Sequence, residues 1–264
     1  MHFISKIKLL VITFCFSIPA MAWWGATGHR IVGKIAENYL TPKAKADIAQ
    51  ILGTESLAMA SNWADFIKSD SNYDYLSPWH YSDMKQGLSF NEFKNELQHD
   101  TATNAYNKLN FLIKELKKKQ LPADKKLLYL RLLIHIAGDI HQPLHIGKPE
   151  DLGGNRIRVL WFGDSTNLHS IWDDKLIQFQ NLSYTEYSEA INHTKLKQRT
   201  DWQKQPMIEW FFETYQLAGK IYAEINRPVP RLSYRYNFDH IDQLNQQLLK
   251  AGVRLAGLLN EIFK

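Results

Sequence analysis

The chain has 264 residues, with 32 Lys and Arg against 27 Asp and Glu, for a formal net charge of +5. This length holds one large domain or two small ones, and no linker, repeat or low-complexity stretch divides it, so it reads as one domain. The mild basicity permits a nucleic-acid partner without arguing for one. The single cysteine, Cys15, lies in the opening segment, which excludes a disulfide framework for everything after it.

That opening segment is the first element. Lys6 and Lys8 precede an apolar run over 9–16, and small residues follow at Ala20 and Ala22. This is the layout of a cleavable secretory signal. The apolar run is too short for a membrane span, which takes about 20 apolar residues. The rule for small residues before the cut favours cleavage after Ala22, whereas cleavage after Trp23 leaves Trp24 first. The expectation is a signal over 1–23, one domain over 24–264, no membrane insertion after cleavage, and a secreted or periplasmic location.

Beyond it the pattern is helical. Ile31, Val32, Ile35, Ala36 and Leu40 give 30–40 a period close to 3.6. The stretch 102–119 reads as a helix ending in a solvated basic run. The stretch 124–139 is apolar almost all round, the mark of a central helix. After the turn signal "DLGGN", 156–162 alternates enough for a strand or hairpin arm. Two further long helices are expected over 207–225 and 241–263, with a proline-bearing surface loop over 226–239. The fold class is therefore all-α: a single mainly helical domain with a small β excursion.

The chemistry concentrates in "HIAGDIHQPLH". His135 and Asp139 stand four apart and share a helix face. An ionisable pair at the end of the most apolar helix costs several kcal/mol unless compensated, and a bound cation compensates it. Pro143 bends or ends the helix, which lets His145 turn back. His169 and Asp173 in "HSIWD" repeat the spacing. Asp65 in "WADFIK", His80 in "WHYSD" and His29 in "WGATGH" complete the set. Imidazole with carboxylate is a zinc-like donor mix. One such pair is more often an ion pair or a satisfied core histidine. Several in one chain point to more than one metal. His141 is open between ligand and supporting roles, with the latter favoured. His99, His193 and His240 lack a partner at useful spacing and are expected to be exposed.

The ordered set "WGATGH", "WAD", "WHYSD", "HIAGDIHQPLH", "GGN" and "NLHSIWD" resembles the secreted zinc-dependent single-strand nucleases of fungi, plants and bacteria. These enzymes also act as 3′-nucleotidases and share a superfamily with bacterial zinc-dependent phospholipases C. The resemblance implies a trinuclear zinc cluster at the base of a cleft. One zinc would be held by Asp65, His80, His135 and Asp139. A second would be held by His29, Asp139 and Trp24, the last through its free α-amino group and carbonyl oxygen. A third would be held by His145, His169 and Asp173. It further implies hydrolysis of single-stranded DNA and RNA, and of 3′-mononucleotides, by a monomer that leaves 5′-phosphates. Asp65 would orient the attacking water, while Lys68 and Asn155 would contact phosphate. Tyr81 would stack on a base, unless it packs in the core, and Asp83 would accept a hydrogen bond from the base's exocyclic amine. A phospholipase C and a non-catalytic zinc protein are the alternatives. Asp173, where the phospholipases tend to carry glutamate, and the Tyr81/Asp83 pair favour the nuclease.

Overall fold

A computed structural model describes residues 25–264. The expected signal and Trp24 lie outside the described residues. The main helices are α1 (Ala26–Glu37), α2 (Pro42–Leu52), α3 (Phe90–His99), α4 (Ala105–Leu116), α5 (Ala123–Asp139), α6 (Tyr184–Ile191), α7 (Leu196–Lys204), α8 (Met207–Glu224) and α9 (Tyr234–Ile262). Local chemistry sets several of their starts. Thr41 caps α2 through Ala44 N at 3.2 Å, with Pro42 in the first turn, where its missing N–H costs nothing. Ser89 with Glu92 opens α3 and Ser183 with Glu186 opens α6, each as a reciprocal capping box.

The expected central helix is α5. From Leu132 to Asp139 every residue is buried. It is surrounded by α1, α4, α9 and the short helices Leu57–Ala60 and Trp63–Phe66. Helix α1 approaches two neighbours so closely that glycine is needed at both crossings. A Cβ on Gly33 would lie 2.7 Å from Leu57 O, and one on Gly252 would lie 2.5 Å from Ile35 Cγ2. Gly252→Ala is expected to lower stability by about 1–2 kcal/mol, because overpacking outweighs the roughly 1 kcal/mol that alanine gains in helix propensity. A thermal melt at or above the wild-type midpoint would show that α1 and α9 part without cost.

The β excursion is a hairpin with a third strand beside it. Strand β1 (Arg158–Trp161) pairs antiparallel with β2 (Asp164–Asn167), in register Arg158↔Asn167 to Trp161↔Asp164. Strand β3 (Arg231–Leu232) lies parallel to β1. Phe162 and Gly163 both take positive φ, the conformation that a two-residue hairpin turn demands. The expectation of a loop over 226–239 fails in its second half. After Pro230 the chain enters β3 and then starts α9 at Tyr234. Tyr236, His240 and Leu244 are buried at helical spacing there, a stripe that outweighs the proline signal just before it.

Candidate metal centre

Seven elements deliver the grouped side chains. His29 comes from α1, and Asp65 from Trp63–Phe66. His80 ends the 3-10 segment Ser71–Trp79. His135 and Asp139 lie one turn apart on α5. His145 sits in the 3-10 turn Pro143–Ile146, and His169 in Leu168–Ser170, which Asn167 caps through Ser170 N at 2.7 Å. Asp173 lies in a π-helical turn, Ile171–Lys175. Single π turns of this kind are frequent at functional sites.

These side chains converge into three groups: His29 with Asp65 and His135; His80 with His135 and Asp139; His145 with His169 and Asp173. In the second group His80 Nδ1, His135 Nε2 and Asp139 Oδ2 form a triangle with edges of 3.0, 3.2 and 2.9 Å. Tetrahedral ligands at zinc-like bond lengths stand about 3.3 Å apart, so the triangle has metal-site dimensions. His29 Nε2 is 3.3 Å from Asp139 Oδ1 and 3.9 Å from Asp65 Oδ2. In the third group His169 Nε2 lies 3.1 Å from Asp173 Oδ2, and His145 Nε2 lies 3.8 Å from Asp173 Oδ1. Asp139 stands between the groups, since its Oδ1 is also 3.6 Å from His145 Nδ1.

The backbone fixes which ring nitrogens face inward. His135 Nδ1 donates to Ser61 O at 2.5 Å, His145 Nδ1 to His80 O at 2.9 Å, and His169 Nδ1 to Gly153 O at 2.6 Å. A carbonyl only accepts, so each Nδ1 holds its proton, and the neutral form of each ring then presents its lone pair at Nε2, as in metal-ligating histidines. Both ring nitrogens of His29, Asp139 Oδ1, His169 Nε2 and Asp173 Oδ2 are buried with no hydrogen-bond partner. Each such atom costs about 1–3 kcal/mol, which a bound cation offsets. Burial pushes His80 down to about 3 and holds His29 and His145 below their ordinary value, whereas at His135 and His169 the effect of burial is outweighed by Asp139 and Asp173 beside them, which raise both. Neutral imidazole is the form that ligates metal. The donor set therefore fits a metal centre.

One edge of the centre is open. Asp65 and Lys68 side chains keep 25% and 30% of their exposure, against 0% for Asp139. Lys68 Nζ donates to Asp65 Oδ1, and burial pushes the lysine down to about 8. Tyr81 is exposed, so it is not a core residue. Asp83 Oδ1 is buried without a hydrogen-bond partner, and burial raises this carboxyl to about 7. Asn155 follows Gly153 and Gly154, both at positive φ. A Cβ on Gly153 would fall 2.2 Å from Leu144 O, so "GGN" is the sequence that lets this loop press onto the turn carrying His145. Asn155 Nδ2 donates to Leu152 O at 2.9 Å, which leaves its second N–H for another acceptor.

Two histidines differ from expectation. His141 does not support a ligand. Its Nδ1 donates to Ala137 O, and its Nε2 accepts from Arg254 Nη1 at 3.1 Å. His240 is buried rather than exposed, 2.8 Å from Glu224 and packed against Trp172 and Tyr236. His99 and His193 are exposed as expected. A surface hollow of about 790 Å³, lined by Tyr39, Asn192, His193, Thr194, Lys195 and Gln198, contains none of the grouped ligands.

A helical scaffold that closes three histidine–aspartate groups around one buried carboxylate has the donors to hold a cluster of metal ions. Residues 24–264 match the S1/P1 nuclease family, and the chain belongs to that family. It is 30% identical over 262 residues to Endonuclease 3 of Arabidopsis thaliana, across 91% of this chain and 89% of that protein. It is 28% identical to Nuclease P1 of Penicillium citrinum, across 90% of this chain and 97% of that protein. With Nuclease S1 of Aspergillus oryzae the identity is 31% over 162 residues, 58% of this chain and 54% of that protein.

Proposed function

We propose that the protein is a secreted zinc-dependent nuclease that hydrolyses single-stranded DNA and RNA to 5′-phosphorylated products and also acts as a 3′-nucleotidase. The observation that carries this reading is the fully buried Asp139 cluster opening at one edge onto Asp65 and Lys68. The signal layout over 1–23 supports export. The ligands proposed for three zinc ions are Asp65, His80, His135 and Asp139; Trp24, His29 and Asp139; and His145, His169 and Asp173. Gly25 N donates to Asp173 O at 3.0 Å, and a Cβ on Gly25 would lie 1.5 Å from Asp174 Oδ1. This contact draws the start of the domain against the centre and supports a role for Trp24.

Zinc held there supplies Lewis acidity, polarising the phosphodiester and making hydroxide available near neutral pH. Asp65, as the open carboxylate of the cluster, accepts a hydrogen bond from the attacking water and aims it in line with the leaving 3′-oxygen. Lys68 keeps its positive charge through Asp65 and sets it against a non-bridging phosphate oxygen. Asn155 donates its spare N–H to another. Tyr81 offers an exposed ring for a base to stack on, a contact that tolerates any sequence and suits single strands. Asp83 Oδ1 accepts from an exocyclic amine.

The direct test is incubation with single-stranded DNA, RNA, duplex DNA, a 3′-mononucleotide and phosphatidylcholine, with product ends identified by mass. Release of 5′-phosphates from single strands is the expected result. Hydrolysis of the lipid alone would overturn it. Lys68→Ala is expected to reduce turnover on single strands by about 10²-fold at unchanged metal content, the usual loss when one charge-stabilising donor is removed.

A further inference from the structure

The geometry points to Gln142 as the positioning residue of the third ligand group, one side chain that fixes both His145 and Asp173. Gln142 is fully buried. Its Nε2 donates to Asp173 Oδ1 at 2.5 Å, and its Oε1 accepts from Leu144 N. The second bond caps the 3-10 turn Pro143–Ile146 that carries His145. The first bond occupies one carboxylate oxygen, and Asp173 Oδ2 is then the oxygen that stands 3.1 Å from His169 Nε2 with no hydrogen-bond partner. An amide is the group this place calls for, because it presents a donor and an acceptor at once. A carboxylate would face Asp173 with like charge, and an apolar side chain would serve neither partner. Outer-shell partners of this kind typically change metal affinity by about 10–100-fold when removed.

The inference rests on the metal-centre reading, and its test reads metal rather than catalysis. The variants are Gln142→Met, which keeps the volume and removes both bonds, and Gln142→Asn. Asn is a good cap residue but is one methylene too short to serve Leu144 N and Asp173 together. Each is loaded with Zn²⁺, titrated with a competing chelator, and followed by native mass spectrometry, with circular dichroism to confirm the fold. The expected result for both is that one class of ion is lost at about 10–100-fold lower chelator concentration while the remaining ions leave as in the wild type. Unchanged release of every ion in folded Gln142→Asn overturns the proposal, and so does equal weakening of all of them. If Gln142→Met does not fold, Gln142→Asn alone decides the matter. The wild type's activity on single strands reports separately on the proposed function, since an inactive protein that binds its metals normally leaves the Gln142 comparison intact.

Discussion

Asp139→Asn is expected to release metal from the two groups that share His135 and to lower turnover by about 10³-fold or more. The substitution keeps shape and removes charge, and Asp139 is where charge matters most. Its carboxylate is fully buried, with Oδ2 facing His80 and His135 at 2.9 and 3.2 Å and Oδ1 facing His29 and His145 at 3.3 and 3.6 Å. Burial pushes this carboxyl up, but His135 and His145 outweigh burial and hold it well below the usual carboxylate range. Its surroundings thus favour the negative form at the point where the groups meet. Asparagine offers one neutral oxygen in its place. Native mass spectrometry of Asp139→Asn should count fewer ions than the wild type. Because metal-binding energy is also folding energy, its melting temperature in excess zinc should fall toward that of the chelated wild type. A full metal count in the variant would remove Asp139 from the ligand set.

How much of this was legible in the sequence depends on whether the signal was local. The central helix was, because eight buried residues in a row leave few polar positions to disturb the pattern. His135/Asp139 and His169/Asp173 also stood out by spacing, although the second pair lies in a π turn that residue types alone do not announce. Helices α3 and α6 carried a readable start signal in "SFNE" and "SYTE", but their modest apolar faces hid them from a search for periodicity. His240 misled because its partner Glu224 is on another helix. The carbonyls of Ser61, His80 and Gly153, which fix the tautomers, belong to the backbone and have no residue-type signature. Gln142 was missed for the converse reason. Its side chain was in plain view between two histidines, but its use appears only once Asp173 folds against it.

The scaffold's own weak point is a buried charge away from the grouped histidines and aspartates. Arg254 on α9 is 1% exposed. Its Nη2 donates to Glu213 Oε2 at 2.7 Å and to Gln205 Oε1 at 2.5 Å, and its Nη1 donates to His141. Burial pushes His141 down to about 3, with Arg254 adding to the effect, so this partner is neutral. Glu213→Ala removes the carboxylate in contact with the guanidinium and is expected to cost about 2–4 kcal/mol, since it leaves the arginine buried and uncompensated. For a chain of this size that corresponds to a melting temperature lower by roughly 5–15 °C. Burial pushes Glu213 up, but Arg254 outweighs it and sets the carboxyl at about 2 rather than 4.5. The group therefore stabilises the fold fully above pH 4.5, and its contribution fades as pH falls toward 2. The gap between variant and wild type should narrow across that window, measured on metal-stripped protein so that release of metal at low pH does not intrude. The double variant Glu213→Leu, Arg254→Met should be more stable than Glu213→Ala, because it removes both charges and fills the space. Equal melting of Glu213→Ala and wild type at neutral pH would mean that Gln205 and water suffice for Arg254. Helix α9 would then owe little of its hold to the Arg254–Glu213 pair, and its apolar face, the Gly252 crossing and its other polar contacts, such as Gln247 to His141 O and Asn260 to Tyr39 O, would carry it.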